Sequence, residues 1–231
     1  MRLIILILLL VNGVSSYAQK TLEGGVMFGG LYYLGEINPS RQFHSTNVGI
    51  GIFARQNLNK RWAVRANILV GNLSANDQSF SRKYQQTRNI HFETPLLEIS
   101  AQAEFNFLPY KLGATRHNST YTPYLASGIG FALISNSIKP YQLTIPISIG
   151  MKFAITKKLE LGLEWSFKKT FTDYIDNLSG KEYDVQNMET PNKNKYKQNA
   201  FFYNDDWYSY AGVFITYKIF QSGSVCKAYD F

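Results

Sequence analysis

The stretch Leu143-Thr-Ile-Pro-Ile-Ser-Ile-Gly-Met-Lys-Phe-Ala-Ile155 alternates between large apolar residues and small, polar or charged ones. A period of two places successive side chains on opposite faces of a β-strand. The run is much longer than the five or six residues of an ordinary soluble strand, and it exceeds the roughly 9–11 residues that cross a membrane at a tilt. It therefore predicts a membrane-spanning β-strand.

Seven further segments show the same pattern. It is clear over Leu97–Phe107 and Leu159–Phe167, and weaker over roughly 21–33, 47–57, 61–73, 121–133 and 207–220. The connections alternate in length: those at 57–60, 109–120 and 156–158 are short or moderate, and those at about 34–46, 74–92 and 173–206 are long. Outer-membrane barrels have short periplasmic turns and long outside loops. The pattern predicts an all-β, eight-stranded antiparallel transmembrane β-barrel with periplasmic N- and C-termini.

A soluble lipocalin-like barrel is the alternative fold. Aromatic residues near the predicted strand ends favour the membrane barrel, because interfacial girdles of tyrosine and tryptophan mark the headgroup levels of a bilayer. The residues expected in such girdles are Tyr32, Tyr33, Trp62, Phe107, Tyr121, Trp207, Tyr208 and Tyr217.

The first 18 of the 231 residues resemble a secretory signal peptide. Arg2 precedes an apolar run over 3–11, and Ser16-Tyr-Ala18 places small residues at the cleavage positions. We expect cleavage near Ala18, a barrel over 19–220, a periplasmic tail over 221–231 and a location in the bacterial outer membrane.

Composition excludes several other classes of protein. An aromatic content of 15% excludes intrinsic disorder, and a single cysteine, Cys226, excludes an internal disulfide framework. The net charge of +8 is spread along the chain rather than striped on one element, so we expect no nucleic-acid partner. Outer-membrane lipid is the expected surrounding.

If the apolar face meets lipid, the alternate face lines the lumen. That face carries Glu23, Glu98, Glu104, Glu160 and Glu164 against Arg55, Arg61, Arg65, Lys152, Lys168 and Lys218. Side chains fill the interior of an eight-stranded barrel, so these charges must pair. The predicted network is centred on Glu98, Glu104, Glu164, Arg55, Arg65, Lys152 and Lys168. An ion path is the alternative to this salt-bridged plug. Glycines such as Gly128 and Gly150 are expected to make room for the long basic side chains.

No recognised catalytic motif is present. His44, His91 and His117 fall in different connections, without metal-ligand spacing. We therefore expect no enzyme activity, no cofactor and no metal. Two alternatives stay open: a small outer-membrane enzyme acting on lipid or peptide at the outside rim, and a structural or adhesive barrel whose loops bind a surface partner.

An ordered set of short motifs resembles the PorG-like outer-membrane barrels of the Bacteroidetes type IX secretion system, which are also catalogued as a domain of unknown function. The motifs include Tyr33-Leu-Gly-Glu-Ile-Asn-Pro39, Asn57-Leu-Asn-Lys-Arg-Trp-Ala-Val-Arg65, Glu104-Phe-Asn-Phe-Leu-Pro-Tyr110 and Thr172-Asp-Tyr-Ile-Asp176. The resemblance implies an accessory of the secretion machine that contacts a periplasmic ring formed by a lipoprotein and its partner. It carries over no catalytic residues.

A barrel that docks on a periplasmic ring must use its periplasmic segments. The most adaptable of these are the connection 109–120 and the tail. Within them Lys111, Arg116 and Lys227 offer charge for steering a partner, and Cys226 offers a thiol. These four residues are the predicted docking positions.

Overall fold

The chain folds into one closed antiparallel barrel of eight strands, each hydrogen-bonded to its neighbours in sequence, with β8 closing on β1. The computed structural model describes residues 21–35, 37–38, 41–80, 86, 89–112, 119–135, 137, 140–171, 175 and 206–221. The strands are β1 (Thr21–Leu34), β2 (Asn47–Asn57), β3 (Trp62–Asn76), β4 (His91–Asn106), β5 (Tyr121–Ile134), β6 (Tyr141–Ala154), β7 (Leu159–Thr170) and β8 (Trp207–Gln221). A short 3₁₀-helix, Asp77–Ser79, follows β3. Within the described residues, no helix is both long and apolar enough to span a membrane.

The predicted eight-stranded antiparallel β-barrel is confirmed, with strands of 11 to 16 residues. Thr21 pairs with Gln221, so β1 begins and β8 ends at the same end of the barrel as the connections 58–61, 107–120 and 155–158. We call this the short-turn end and the opposite one the long-loop end. Gln221 belongs to β8, one residue beyond the predicted barrel limit. The predicted leader and residues 222–231 lie outside the described residues.

Strand β4 begins six residues before the predicted Leu97. Pro95 interrupts the alternating pattern, which is why the pattern predicts a strand only from Leu97 onward. In the structure the ladder between β4 and β5 starts at Leu96, so 91–95 forms a ladder with β3 alone. On the other side the carbonyl of Pro95 accepts from the amide of Ser135 at 3.2 Å. A proline, which has no amide hydrogen to donate, is tolerated where a ladder ends.

The outer wall of the barrel is apolar. Ile99, Ile149 and Leu163, predicted to face outward, are each about half exposed. Wide exposure of large apolar side chains recurs on every strand; examples are Val26, Ile52, Val70, Phe131, Ile147 and Ile215. Because the sheet closes on itself, every strand has a hydrogen-bonded neighbour on both sides, which is the arrangement that hydrocarbon surroundings require of a β-structure.

The predicted aromatic girdle is partly wrong. Trp62, Phe107, Tyr121 and Tyr217 do stand exposed on the outer wall at the short-turn end. Three other members, Tyr32, Tyr33 and Tyr208, are buried. The rings of Tyr33 and Tyr208 fill the lumen, where their hydroxyls donate to Asp206 (2.5 Å) and Glu98 (2.5 Å). Tyr32 lies against Phe43 and Trp165, with its ring centroid 5.1 Å from that of Phe43.

Candidate functional site

The half of the lumen nearest the short-turn end is filled by charged side chains that are all buried. They project from the lumen-facing positions of β1, β2, β3, β4, β6 and β7, since charged residues alternate there with the apolar residues of the outer wall. We call this group the ion-pair layer; it consists of Glu23, Arg55, Arg65, Glu104, Lys152, Glu160 and Glu164.

Glu104 is the centre of the ion-pair layer. Arg55 and Arg65 are cross-strand partners in register, an arrangement that is unfavourable for like charges. One Glu104 oxygen lies 3.2 Å from Nε of Arg65, and the other lies 3.6 Å from Nη1 of Arg55. The Nζ of Lys152 donates to that second oxygen at 2.5 Å. A single carboxylate therefore offsets the repulsion among three bases.

The remaining carboxylates surround the two guanidinium groups. Arg55 donates to Glu23 through Nε (2.9 Å) and Nη2 (2.7 Å), and it is also paired with Glu160. Arg65 binds both oxygens of Glu164, at 2.5 and 3.0 Å. The layer holds four carboxylates and three bases. Such dense pairing is how charges are accommodated away from water.

The other two predicted network members form a separate pair closer to the long-loop end. Lys168 donates to Glu98 at 2.7 Å, and Tyr208 donates to the other oxygen of Glu98 at 2.5 Å. The seven predicted residues are thus all buried in the lumen, but they belong to two groups. Five of them lie in the ion-pair layer and two in this pair.

Three rings pack against the ion-pair layer, and the hydroxyl of one of them, Tyr124, donates to Glu164 at 2.6 Å. Phe53 and Phe214 meet edge to face at 5.5 Å, and Tyr124 lies 6.3 Å from Phe214. The guanidinium carbons of Arg55 and Arg65 lie 5.8 and 5.4 Å from the Phe53 centroid, within cation–π range. We call these three rings the aromatic septum.

The septum rings stand over glycines of the wall. A Cβ on Gly162 would overlap the ring of Phe214, and one on Gly25 would overlap the ring of Phe53. The glycines that are expected from the sequence to make room for arginine and lysine do not face basic side chains either. A Cβ on Gly150 would overlap the ring of Tyr124, and one on Gly128 would overlap the backbone of Ala101 and Gln102. At Gly25, Gly150 and Gly162 the missing side chain therefore makes room for an aromatic ring.

The connection after β4 folds across the short-turn mouth of the lumen. The amide of Tyr110 donates to the carbonyl of Lys60 (2.9 Å), and Lys218 Nζ donates to the carbonyl of Leu112 (2.8 Å). Tyr110 and Leu112 are both buried. Burial raises the pKa of the Tyr110 phenol, and the nearby charge of Glu160 raises it further.

Two predicted lumen bases lie at the mouth instead. Arg61 stands in the exposed turn before β3 begins at Trp62, and its Nη1 donates to the carbonyl of Phe107 at 2.7 Å. Lys218 is half-buried beside Leu112. The alternation that governs strands does not extend into turns, so the position of Arg61 could not be inferred from its place in the periodic pattern.

The short-turn rim is basic. Its described connections, 58–61, 107–112, 119–120 and 155–158, contain no aspartate or glutamate. Together with the end of β8 they present Lys60, Arg61, Lys111, Lys157, Lys158 and Lys218. We call this set the basic rim.

Of the four predicted docking residues, Lys111 lies within the part of the chain that the structure describes. It is half-buried, and partial burial lowers the pKa of its ammonium, with further lowering by the charges of Lys218 and Lys60. The neighbouring backbone packs across the mouth, so the part of the connection over 109–112 is not a loose segment. Arg116, Cys226 and Lys227 lie outside the described residues.

The histidines do not converge where the structure describes them. His44 packs against the ring of Phe80, with centroids 4.9 Å apart, whereas His91 is exposed at the start of β4. His117 lies outside the described residues. Across the described ranges, no group of three or more His, Cys, Asp or Glu side chains is placed to hold a metal ion.

Sequence reasoning missed the aromatic septum and the packed residues at the mouth. Phe53 and Phe214 occupy lumen-facing positions of β2 and β8, and they could have been found as large aromatic residues out of phase with the outer wall. Tyr110 and Leu112 could have been noticed as bulky residues in a turn. Neither feature of the sequence predicts which residues these four side chains contact.

Comparison with known proteins bears on the family and the fold. The family model described as "Domain of unknown function (DUF6089)" matches residues 1–228. None of the curated proteins matches the chain. Among solved structures, Neisserial surface protein A is similar at a TM-score of 0.45 and 10% identity, covering 87% of this chain and 97% of that one.

Two further solved structures are similar at the same level. Ail, the attachment invasion locus protein of Yersinia pestis, has a TM-score of 0.43 and 8% identity, covering 88% of this chain and 100% of its own. The outer membrane protein OprG of Pseudomonas aeruginosa has a TM-score of 0.43 and 8% identity, covering 87% and 99%.

Proposed function

We propose that this chain, which belongs to the DUF6089 family, whose description states no function, is a non-catalytic outer-membrane barrel that serves protein secretion as a PorG-like accessory. Its role is to dock periplasmic partners rather than to conduct solutes. The observation that carries the proposal is a lumen filled with paired charges and rings above a basic rim.

Placement in the outer membrane is supported by the barrel's own surface. Strands of 11 to 16 residues are long enough to cross a bilayer at a tilt. They expose isoleucine, leucine, valine and phenylalanine to the outside while their charges are buried inside. In bacterial outer-membrane barrels the short turns are periplasmic. The basic rim then faces the periplasm.

A docking role is supported by the filled interior and by the charge of the rim. Arginine and lysine side chains bound to carboxylates on opposite walls leave little of the lumen for a solute path. A rim of one sign attracts partners of the other sign and raises the rate of encounter. The partner we propose is a periplasmic secretion-machine assembly, the lipoprotein ring, presenting an acidic surface.

The first test compares two deletions in a secreting strain. One variant lacks 185–199, in the long connection before β8, and the other lacks 222–231, which leaves Gln221 in β8. With barrel assembly verified in both, we expect only the tail deletion to reduce secretion. Loss of secretion in the 185–199 deletion alone would contradict periplasmic docking and favour a surface-binding role.

The second test reverses charge on the basic rim. Lys60→Glu combined with Lys111→Glu reverses two neighbouring charges of the basic rim and should weaken co-purification of the periplasmic partner after mild crosslinking. Arg41→Glu, a similar exposed change at the long-loop end, is the matched control. Equal co-purification from wild type and from the rim variant would overturn the docking assignment.

A further inference from the structure

A groove crosses the outer wall of the barrel from the end of β4 to β8. Its volume is about 600 Å³, within the range of small-molecule sites. The outward side chains that line it are all apolar and include Phe107, Leu125, Ile149, Leu163, Trp165 and Ala211.

The pairing register explains why the wall is hollow here. Leu125, Ile149, Trp165 and Ala211 are successive partners across β5, β6, β7 and β8. Ala211 pairs in turn with Gly30 of β1, so the row ends in two residues with little or no side chain. The groove therefore lies beside Trp165, where these two residues add almost no side chain to the outer surface of the wall.

Trp165 forms a fixed side of the groove. Its indole N–H donates to the hydroxyl of Tyr32 at 2.7 Å, and its ring stacks on Phe43 at 5.7 Å and lies 4.8 Å from Phe167. A ring held by three neighbours does not need to be ordered when a ligand binds, which lowers the entropic cost of binding.

The other end of the groove reaches an aromatic and basic edge. Phe107 lies 5.4 Å from Phe105, which lies 4.9 Å from Trp62, so a row of rings marks the short-turn border of the apolar wall. Such rings sit at the headgroup level of a bilayer. The exposed guanidinium of Arg61 is held there by its 2.7 Å bond to the carbonyl of Phe107.

We propose that this groove is a binding site for one anionic phospholipid of the periplasmic leaflet, with an acyl chain against Trp165 and Ala211 and the phosphate at Arg61. The apolar lining fits a hydrocarbon chain, and the basic rim, which has no carboxylate in its described connections, fits an anionic headgroup. The inference rests on the membrane placement proposed above but not on a role in secretion.

The test uses the purified full-length barrel in phosphatidylcholine nanodiscs, with spin-labelled phosphatidylglycerol or spin-labelled phosphatidylcholine as the probe. We expect a motionally restricted population of the phosphatidylglycerol probe in excess of the phosphatidylcholine probe. Ala211→Phe, which fills the groove, should abolish that excess. Ala66→Phe, an outward substitution on β3 away from the groove, should leave it unchanged.

Arg61→Gln tests the headgroup contact. Loss of one base near the surface should weaken the preference for phosphatidylglycerol about fivefold. An unchanged preference in Arg61→Gln, or equal effects of Ala211→Phe and Ala66→Phe, would overturn the proposal.

A wild-type dimer that Ala211→Phe converts to a monomer would also overturn the proposal, because the groove would then be a contact between copies. If the lipid-binding proposal fails, the results expected in the secretion assays do not change. If the secretion role fails, the expected preference for phosphatidylglycerol does not change.

Discussion

The two halves of the lumen have the same surrounding wall but are filled in different ways. The short-turn half holds the ion-pair layer, in which carboxylates and bases of six strands meet. Among the described residues, the long-loop half combines an apolar cluster with the buried pair Lys168–Glu98 and with uncharged polar side chains such as Gln142 and Thr144. Its apolar residues include Leu31, Leu69, Leu73, Leu96 and Ile134, together with Ile37 and Ile175 from the long connections.

The difference shows that a lumen-facing position does not have to be polar. Near the long-loop end β1 is apolar on both faces, over Leu31-Tyr-Tyr-Leu34, where all four residues are buried, whereas β6 still buries Gln142 and Thr144. Near the short-turn end the inner face is charged because acids and bases can reach one another across the barrel.

The largest expected effect is the loss of one base from the ion-pair layer. Arg55→Met leaves Glu23, Glu160 and Glu104 without a shared partner, and it should lower the free energy of unfolding by about 3–5 kcal/mol. Urea unfolding in lipid vesicles measures the change.

The pair in the long-loop half serves as the comparison. Lys168→Met removes the base that is paired with Glu98 and leaves that buried carboxylate with its bond from Tyr208. A second change, Glu98→Gln, should recover most of the loss because no buried charge remains. No single glutamate replacement should rescue Arg55→Met in this way. Equal rescue in both halves would mean that the ion-pair layer is not a connected network.

A smaller effect is expected on the outer wall, and it should depend on depth. Ile149 and Tyr217 are equally exposed, at 49% and 51%, but Ile149 is mid-strand whereas Tyr217 is near the short-turn end. Ile149→Arg should cost about 2–4 kcal/mol of stability, and Tyr217→Arg about 0–1 kcal/mol. Unfolding in vesicles measures both. Equal costs would contradict the assignment of this wall to lipid.

The septum should be sensitive to added volume. Gly162→Ala forces the ring of Phe214 to move and should destabilise the barrel by about 1–3 kcal/mol. Phe214→Leu vacates the space above Gly162, so the double variant should be more stable than the sum of the two single changes predicts. Strict additivity in a double-mutant cycle would show that the ring is not held over this glycine.

The smallest effect concerns the basic rim. Lys60→Gln removes one of the charges that lower the pKa of Lys111, so the pKa of Lys111 should rise. Because the folded-state pKa lies below that of the unfolded chain, stability increases as pH rises between the two values. The variant should show a weaker increase. NMR titration of the Lys111 side chain measures the pKa directly, and an unchanged value would place Lys60 too far away to matter.

The strands could be predicted from the sequence because a period of two that continues over ten or more residues is typical of a long strand and not of a helix or a loop. The alternation of polar and apolar residues also placed Gln102 and Ser148 in the lumen and Ile99 on the wall. It failed at Pro95, where a ladder on one side only removes the usual objection to proline in a strand.

The pairing across the lumen could not be predicted. Arg65 and Glu164 belong to β3 and β7, which are not neighbours in the sheet, and they are 99 residues apart. Whether two such side chains meet depends on the tilt and stagger of the whole barrel, which no local pattern specifies. The same limit applies to the septum, whose three rings come from β2, β5 and β8.

We propose that the ion-pair layer, the aromatic septum and the residues Tyr110 and Leu112 close the lumen, and that the barrel works by docking rather than by conduction. Planar-bilayer recording of the purified full-length protein tests it most directly. We predict no steady conductance across the membrane at neutral pH. A stable open channel of porin size would contradict the account.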